Sequence, residues 1–134
     1  FSIIASDLDG TLLTPDHRMP DGITSRLQAA QDLGVTVVLC SARQPQPIIV
    51  YRDSAGLRAP IIAYSGALIM DDRGGELAYW PVTDEAAAQA ISTTRALADR
   101  EHISVYVYVG DRGDRRASPG RSSRQSGNQP HADR

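Results

Sequence analysis

Two carboxylates one residue apart, Asp7 and Asp9, follow the apolar run Phe1-Ser2-Ile3-Ile4-Ala5-Ser6 and precede Gly10-Thr11-Leu12-Leu13. In an extended chain the side chains at i and i+2 leave the backbone on the same side, so Asp7 and Asp9 can converge on one centre. Gly10 lets the chain turn sharply and approach a ligand closely. A pair of carboxylates suits Mg²⁺, a hard cation that takes oxygen ligands and keeps several waters. A carboxylate can also attack phosphorus and form an aspartyl phosphate. The same residues admit a second reading, because Asp-Gly between apolar runs is a β-hairpin signal.

The elements around the pair decide between these readings. Residues 2–6 predict a buried strand. Residues 12–19 are a polar connection with Pro15 and Asp16 as turn formers. A helix opens at Pro20 or Asp21; Ile23, Leu27, Ala30 and Leu33 then fall on one face, and Gly34 stops it. Residues 35–40 are almost wholly apolar and β-branched, which predicts a strand buried on both faces. A second helix over about 46–55, closed by Gly56, and a short strand over 61–64 complete the series. Strand, helix, strand, helix, strand at this spacing means βαβ units and a parallel sheet. Such sheets bind ligands outside the carboxyl ends of their strands. Asp7, Asp9, Ser41 and Ser65 all fall at those ends, which counts against the hairpin.

Residues 68–70 and 76–80 predict a hairpin across the polar loop 71–75. Residues 84–100 are Ala-rich and helical, with Thr83 or Asp84 as N-cap. Residues 103–109 alternate as a half-buried strand does. The segment 112–134 then contains no Val, Ile, Leu, Met, Phe, Tyr or Trp. It cannot bury enough apolar surface to offset its ordering entropy, so disorder is expected there. The abruptness of the change suggests a reading frame that leaves its register.

A length of 134 residues, 41% of them hydrophobic and 22% charged, describes one ordinary domain. The net charge of −2 is unevenly spread: residues 1–111 hold eight Arg against fourteen acids, and residues 112–134 hold six Arg against two. All 14 basic residues are Arg. The Arg of the tail could attract nucleic acid in a salt-sensitive way. The acidic body and the absence of tail aromatics for base stacking oppose that partner. Cys40, the single cysteine, cannot form an internal disulfide, and a cytoplasmic setting is expected. No apolar run nears the roughly 18 residues of a membrane span, and no leader pattern opens the chain. A start at Phe1 suggests a clipped N-terminus or an incomplete reading frame.

Residues 7–13, Asp-Leu-Asp-Gly-Thr-Leu-Leu, resemble the first motif of the haloacid dehalogenase (HAD) superfamily of phosphatases. Residues 35–43, Val-Thr-Val-Val-Leu-Cys-Ser-Ala-Arg, resemble its second motif. Residues 60–68 resemble the segment before the cap in the Cof-type branch, with Ser65 where that branch usually has Asn. The likeness runs over about residues 2–110. It implies an α/β fold: part of a Rossmann-like parallel-sheet core over 1–81, the beginning of an α/β cap over 82–111, and the disordered tail over 112–134.

The resemblance also implies roles. Asp7 would be the nucleophile. Asp9 would protonate the leaving oxygen and then activate water. Mg²⁺ would be held by the Asp7 carboxylate and the Asp9 backbone carbonyl. The Ser41 hydroxyl and the Ala42 N–H would hold a phosphoryl oxygen, and Gly10 and Thr11 would keep the loop close to it. The substrate would be a small phosphorylated metabolite, a sugar phosphate or a nucleotide-like compound, with no membrane involved. Alternatives stay open at several positions. Ser41 could serve local backbone groups, Arg43 could face phosphate or solvent, Ser65 could be a plain turn residue, and Cys40 reads as core. His17, His102 and His131 share no metal spacing. The family's third-motif Lys is absent, since there is no Lys, and Gly110-Asp111 lies too early for the fourth motif. The expectation is a fragment with little or no turnover. The alternative is a non-catalytic remnant that binds phosphate or Mg²⁺.

Overall fold

A computed structural model of the chain describes residues 2–98, 106–108 and 115–116. Three parallel strands, β1 (Ile3–Asp7), β2 (Thr36–Cys40) and β3 (Ile61–Ala63), lie side by side. Helix α1 (Asp21–Asp32) joins β1 to β2, and α2 (Pro45–Ser54) joins β2 to β3. The chain then reverses through β4 (Leu68–Met70) and β5 (Glu76–Tyr79), which extend the sheet antiparallel in the order β1-β2-β3-β4-β5. The predicted hairpin over 68–80 is therefore present, and it makes the sheet mixed.

The most apolar segment is the middle one of the three parallel strands. Val37, Val38 and Leu39 of β2 are buried between β1 and β3. Leu8, Ile48, Leu57, Ile61, Leu68 and Met70 close the core around them. Strands added successively in one direction through right-handed crossovers place both helices on the same face. Side chains of α1 reach the segment that follows α2: Gln28 Nε2 donates to the Ala55 carbonyl (2.9 Å), and the Arg58 N–H donates to Gln31 Oε1 (2.6 Å). Gly34 ends α1 at φ +81°, the left-handed conformation expected of a glycine stop.

One expectation is corrected. β1 is not buried: Ile3 is 61% and Ile4 40% exposed. The reason is strand order. β1 sits at the edge of the sheet and, among the described residues, pairs on one side only, with β2.

Helix α3 (Asp84–Ala98) begins where the sequence predicts, with Thr83 Oγ1 accepting the Ala86 N–H at 3.2 Å. Among its described side chains none is buried; Ala87, Ile91 and Thr94 form a half-buried stripe. Of the strand predicted over 103–109, Tyr106–Val107 (β6) is described, Tyr106 exposed and Val107 half-buried. It pairs antiparallel with Arg115–Arg116 (β7). Tyr108 is described just past β6; residues 103–105 and 109, and the remainder of the segment predicted to be disordered, lie outside the described residues.

Candidate active site

Asp7 is the last residue of β1, and the loop after it is fixed from below. Leu8 is fully buried, and its carbonyl accepts the N–H groups of Thr11, Leu12 and Leu13 at 3.3, 3.1 and 2.9 Å. Gly10 turns the loop at φ +73°, a conformation that side chains rarely adopt. The hairpin reading fails here. β1 pairs along its whole length with β2 in parallel, and the following Leu12-Leu13 contributes only an isolated bridge between Leu13 and Asp9.

Asp7 stands opposite Cys40, so Ser41 is the first residue past the end of the neighbouring strand. The Ser41 N–H donates to the Ile62 carbonyl (2.9 Å), and its carbonyl accepts the Ser65 N–H (3.1 Å). The Tyr64 N–H donates to the Arg43 carbonyl (3.0 Å). Tyr64 and Ser65 reach these positions with φ of +51° and +55°. These bonds tie the end of β2 to the end of β3, and the end of β1 adjoins them through the Asp7–Cys40 pairing, so the three ends form one rim. The structure brings Asp7, Asp9, Gly10, Thr11, Ser41 and Ala42 onto the two adjoining loops of that rim.

Ser41 is 5% exposed, and its Oγ accepts the Arg43 N–H at 3.1 Å. The local backbone role is therefore real. A hydroxyl that accepts one bond still has its proton to donate. Ala42 is exposed, and its N–H makes no hydrogen bond among the described residues. The carboxylate of Asp7 likewise has no hydrogen bond or ion pair among them. One free carboxylate, one hydroxyl and one free N–H suit a phosphoryl group in transfer.

Asp9 is not free. Arg43 grips both its oxygens, Nε to Oδ2 at 2.8 Å and Nη2 to Oδ1 at 2.5 Å. His17 Nδ1 lies 3.2 Å from the same Nη2 and 3.5 Å from Oδ1. Being an obligate donor, the guanidinium makes Nδ1 the acceptor in the shorter contact. The Arg43 guanidinium carbon stands 5.6 Å from the centre of the Tyr51 ring, and the Tyr51 hydroxyl donates to the His17 carbonyl at 2.7 Å. The hydrogen bonds from Arg43, with its charge, outweigh burial and hold the Asp9 carboxyl below the usual carboxylate range.

Sequence reasoning gave Arg43 to phosphate or to solvent and saw no link between His17 and the other functional residues. The structure gives both to Asp9. No local sequence pattern marked this: His17 lies in a turn closed by Thr14, whose Oγ1 donates to the Arg18 carbonyl and accepts its N–H, and it takes φ +56°. Cys40, read from the sequence as core, is only half-buried and stands outside the core cluster, at the end of β2. Burial, then the nearby Asp7 charge, pushes its thiol pKa up.

Beside the rim lies a cavity of about 440 Å³ lined by Tyr64, Tyr79, Trp80, Tyr106, Tyr108 and Ile91 among others. The Tyr64 and Tyr108 rings are 5.4 Å apart at 42°. Tyr64 belongs to both places, since its backbone closes the Arg43 loop.

A family model described as haloacid dehalogenase-like hydrolase matches residues 4–121. The chain is 30% identical over 96 residues to an HMP-PP phosphatase of Serratia proteamaculans, covering 69% of this chain and 34% of that relative. It is 33% identical over 72 residues to phosphatase YwpJ of Bacillus subtilis, covering 54% and 25% respectively. A solved haloacid dehalogenase-like hydrolase from B. subtilis superposes with a TM-score of 0.64 at 27% identity, over 74% of this chain and 34% of that one. The chain belongs to the haloacid dehalogenase-like hydrolases. It spans about a third or less of the length of the relatives it matches. Among the described residues no helix is long and apolar enough to cross a membrane.

Proposed function

We propose that the chain carries the nucleophile and phosphate-binding part of a Mg²⁺-dependent phosphatase acting on small phosphate monoesters. The observation that carries this is the neighbouring placement of a free carboxylate, Asp7, and the Ser41–Ala42 loop at the ends of two paired strands. Asp7 attacks phosphorus, forming an aspartyl phosphate as the bond to the leaving oxygen breaks. Asp9 delivers a proton to that oxygen, then takes one from the water that hydrolyses the intermediate. Ser41 Oγ–H and the Ala42 N–H hold a phosphoryl oxygen, with Gly10 and Thr11 shaping the loop around it.

The donors fit Mg²⁺ by their chemistry. Asp7 offers a free carboxylate, and the Asp9 carbonyl lies outside the turn gathered on Leu8. No group of three His, Cys, Asp or Glu converges among the described residues, so water would complete the shell. When bound, the cation offsets the repulsion between phosphate and carboxylate. The segment 82–111, with α3 and β6, would begin a cap, and residues 1–81 would form the core part beneath it. A cytoplasmic setting accords with the lone, protonated Cys40.

Binding without turnover is the second reading, because Asp9 in the grip of Arg43 is a carboxylate and not an acid. Turnover is expected to be low, since no lysine exists to neutralise the nucleophile and the phosphate. Beryllium fluoride, which mimics a phosphoryl group on a carboxylate, tests the site without needing turnover. A ¹⁹F signal that requires Mg²⁺ and disappears in Asp7→Asn is expected. A signal that persists in Asp7→Asn, or none in the unaltered chain, overturns the proposal.

A further inference from the structure

Arg43 emanates from the phosphate loop. Its N–H donates to Ser41 Oγ, and its carbonyl accepts the Tyr64 N–H, so its backbone is pinned two residues past Ser41. Its head reaches across to a residue 34 positions away and spends Nε and Nη2 on both oxygens of Asp9. An Asp9 so held cannot hand a proton to a leaving oxygen. Yet the pair is open to solutes, 43% of the Asp9 side chain and 27% of that of Arg43 being exposed. Exposed ion pairs are weakly held. A phosphoryl dianion carries more charge than a carboxylate and presents the planar fork of arginine with the same paired acceptors.

We propose that Arg43 is an exchange clamp. It holds Asp9 while the site is empty and passes to the phosphoryl oxygens of an entering phosphate monoester, which frees Asp9 to face the leaving group. The proposal rests on the phosphatase reading and adds a substrate-triggered step to it. Arg43 thereby becomes a phosphate-binding residue, supplying a positive charge in a chain without lysine. The Tyr51 ring gives the guanidinium a flat surface to lie on as its partner changes. His17 shares a proton-accepting nitrogen with the clamp and is the contact left to Nη2 once Asp9 has gone.

Competition for one guanidinium has a signature that mere structural support lacks. Inorganic phosphate binding to the full chain is measured calorimetrically in Mg²⁺ buffer for the unaltered protein, Asp9→Asn, Arg43→Gln and the double variant. Arg43→Gln is expected to weaken binding about tenfold. Asp9→Asn is expected to tighten it about fivefold when Arg43 is present, and less than twofold when it is not. Arg43→Lys, which keeps the charge and loses the fork, should fall between. In a ¹⁵N spectrum the Arg43 Nε–H resonance should move on adding phosphate. Two results overturn the clamp and leave the phosphate site standing: binding within twofold of normal in Arg43→Gln, or an equal Asp9→Asn effect in both backgrounds. Absence of binding in all four proteins overturns the clamp and the phosphate site together.

Discussion

The rim at the ends of β1, β2 and β3 and the aromatic face beside it are built in opposite ways. Under the rim, Leu8, Leu39 and Ile61 are fully buried; the loop after β1 is gathered on the Leu8 carbonyl, and the loop after β2 is tied by backbone bonds to the end of β3. Helix α2, which packs there, buries Pro45, Ile48 and Arg52. Helix α3 buries no described side chain, and Trp80, Val82 and Tyr106 around it are mostly exposed. Reacting groups need positions held within fractions of an ångström, and a close-packed foundation supplies that. A cavity that recognises an organic group by ring contact can work with looser walls. The proposed phosphate chemistry would thus stand on the closely packed region, with the aromatic surface on the more loosely packed one.

Core truncation is the strongest way to break this contrast. Leu39→Ala, at a fully buried position, is expected to cost about 2–5 kcal/mol in urea melts. Ile91→Ala, on the half-buried stripe of α3, should cost less than ~1.5 kcal/mol; equal costs would erase the distinction. Gly10→Ala should cost about 1–2 kcal/mol from its φ of +73° alone, because a methyl there meets no atom within 4 Å. Failure to see that cost would mean the rim loop relaxes freely.

The acid limb gives a smaller effect. Asp9's pKa is lowered in the folded state, so its pairing with Arg43 stabilises fully above the ordinary carboxylate value. That contribution is lost as pH falls through the lowered one. For so exposed a pair the whole contribution is about 1 kcal/mol or less. In Arg43→Gln, the Asp9 carboxyl followed by ¹³C NMR should titrate higher, toward the usual range, and the acid-side loss of stability should shrink. The gentlest test uses the single Trp80, 61% exposed beside the cavity. An aryl phosphate should quench its fluorescence where glycerol phosphate does not. Equal quenching by both would remove ring recognition from the aromatic face.

Much of the rim was legible in the sequence. The β-branched run of β2 and the three-and-four spacing of α1 located both elements, and strand ends then located Asp7, Asp9, Ser41 and Ser65, while Ala42 came from the family resemblance. The exposure of β1 was not legible, because Ile3-Ile4-Ala5 reads the same in a central strand as at an edge; only the strand order decides. The grip of Arg43 on Asp9 was hidden for a different reason. It joins residues 34 apart through side-chain torsions, and no local period encodes such a contact. His17 reaches the pair only through a left-handed turn whose key residue is not a glycine.

The backbone at Ser65, φ +55° and ψ +32°, has a consequence for which residue suits it. Asparagine is the side chain best tolerated in that conformation after glycine, and the Cof-type branch usually carries Asn at this place. The preference needs no substrate contact to explain it; the shape of the main chain is reason enough. Ser65→Asn should therefore raise the melting temperature slightly while leaving ligand affinity alone, a conformational repair made one residue from the tyrosine shared by both regions.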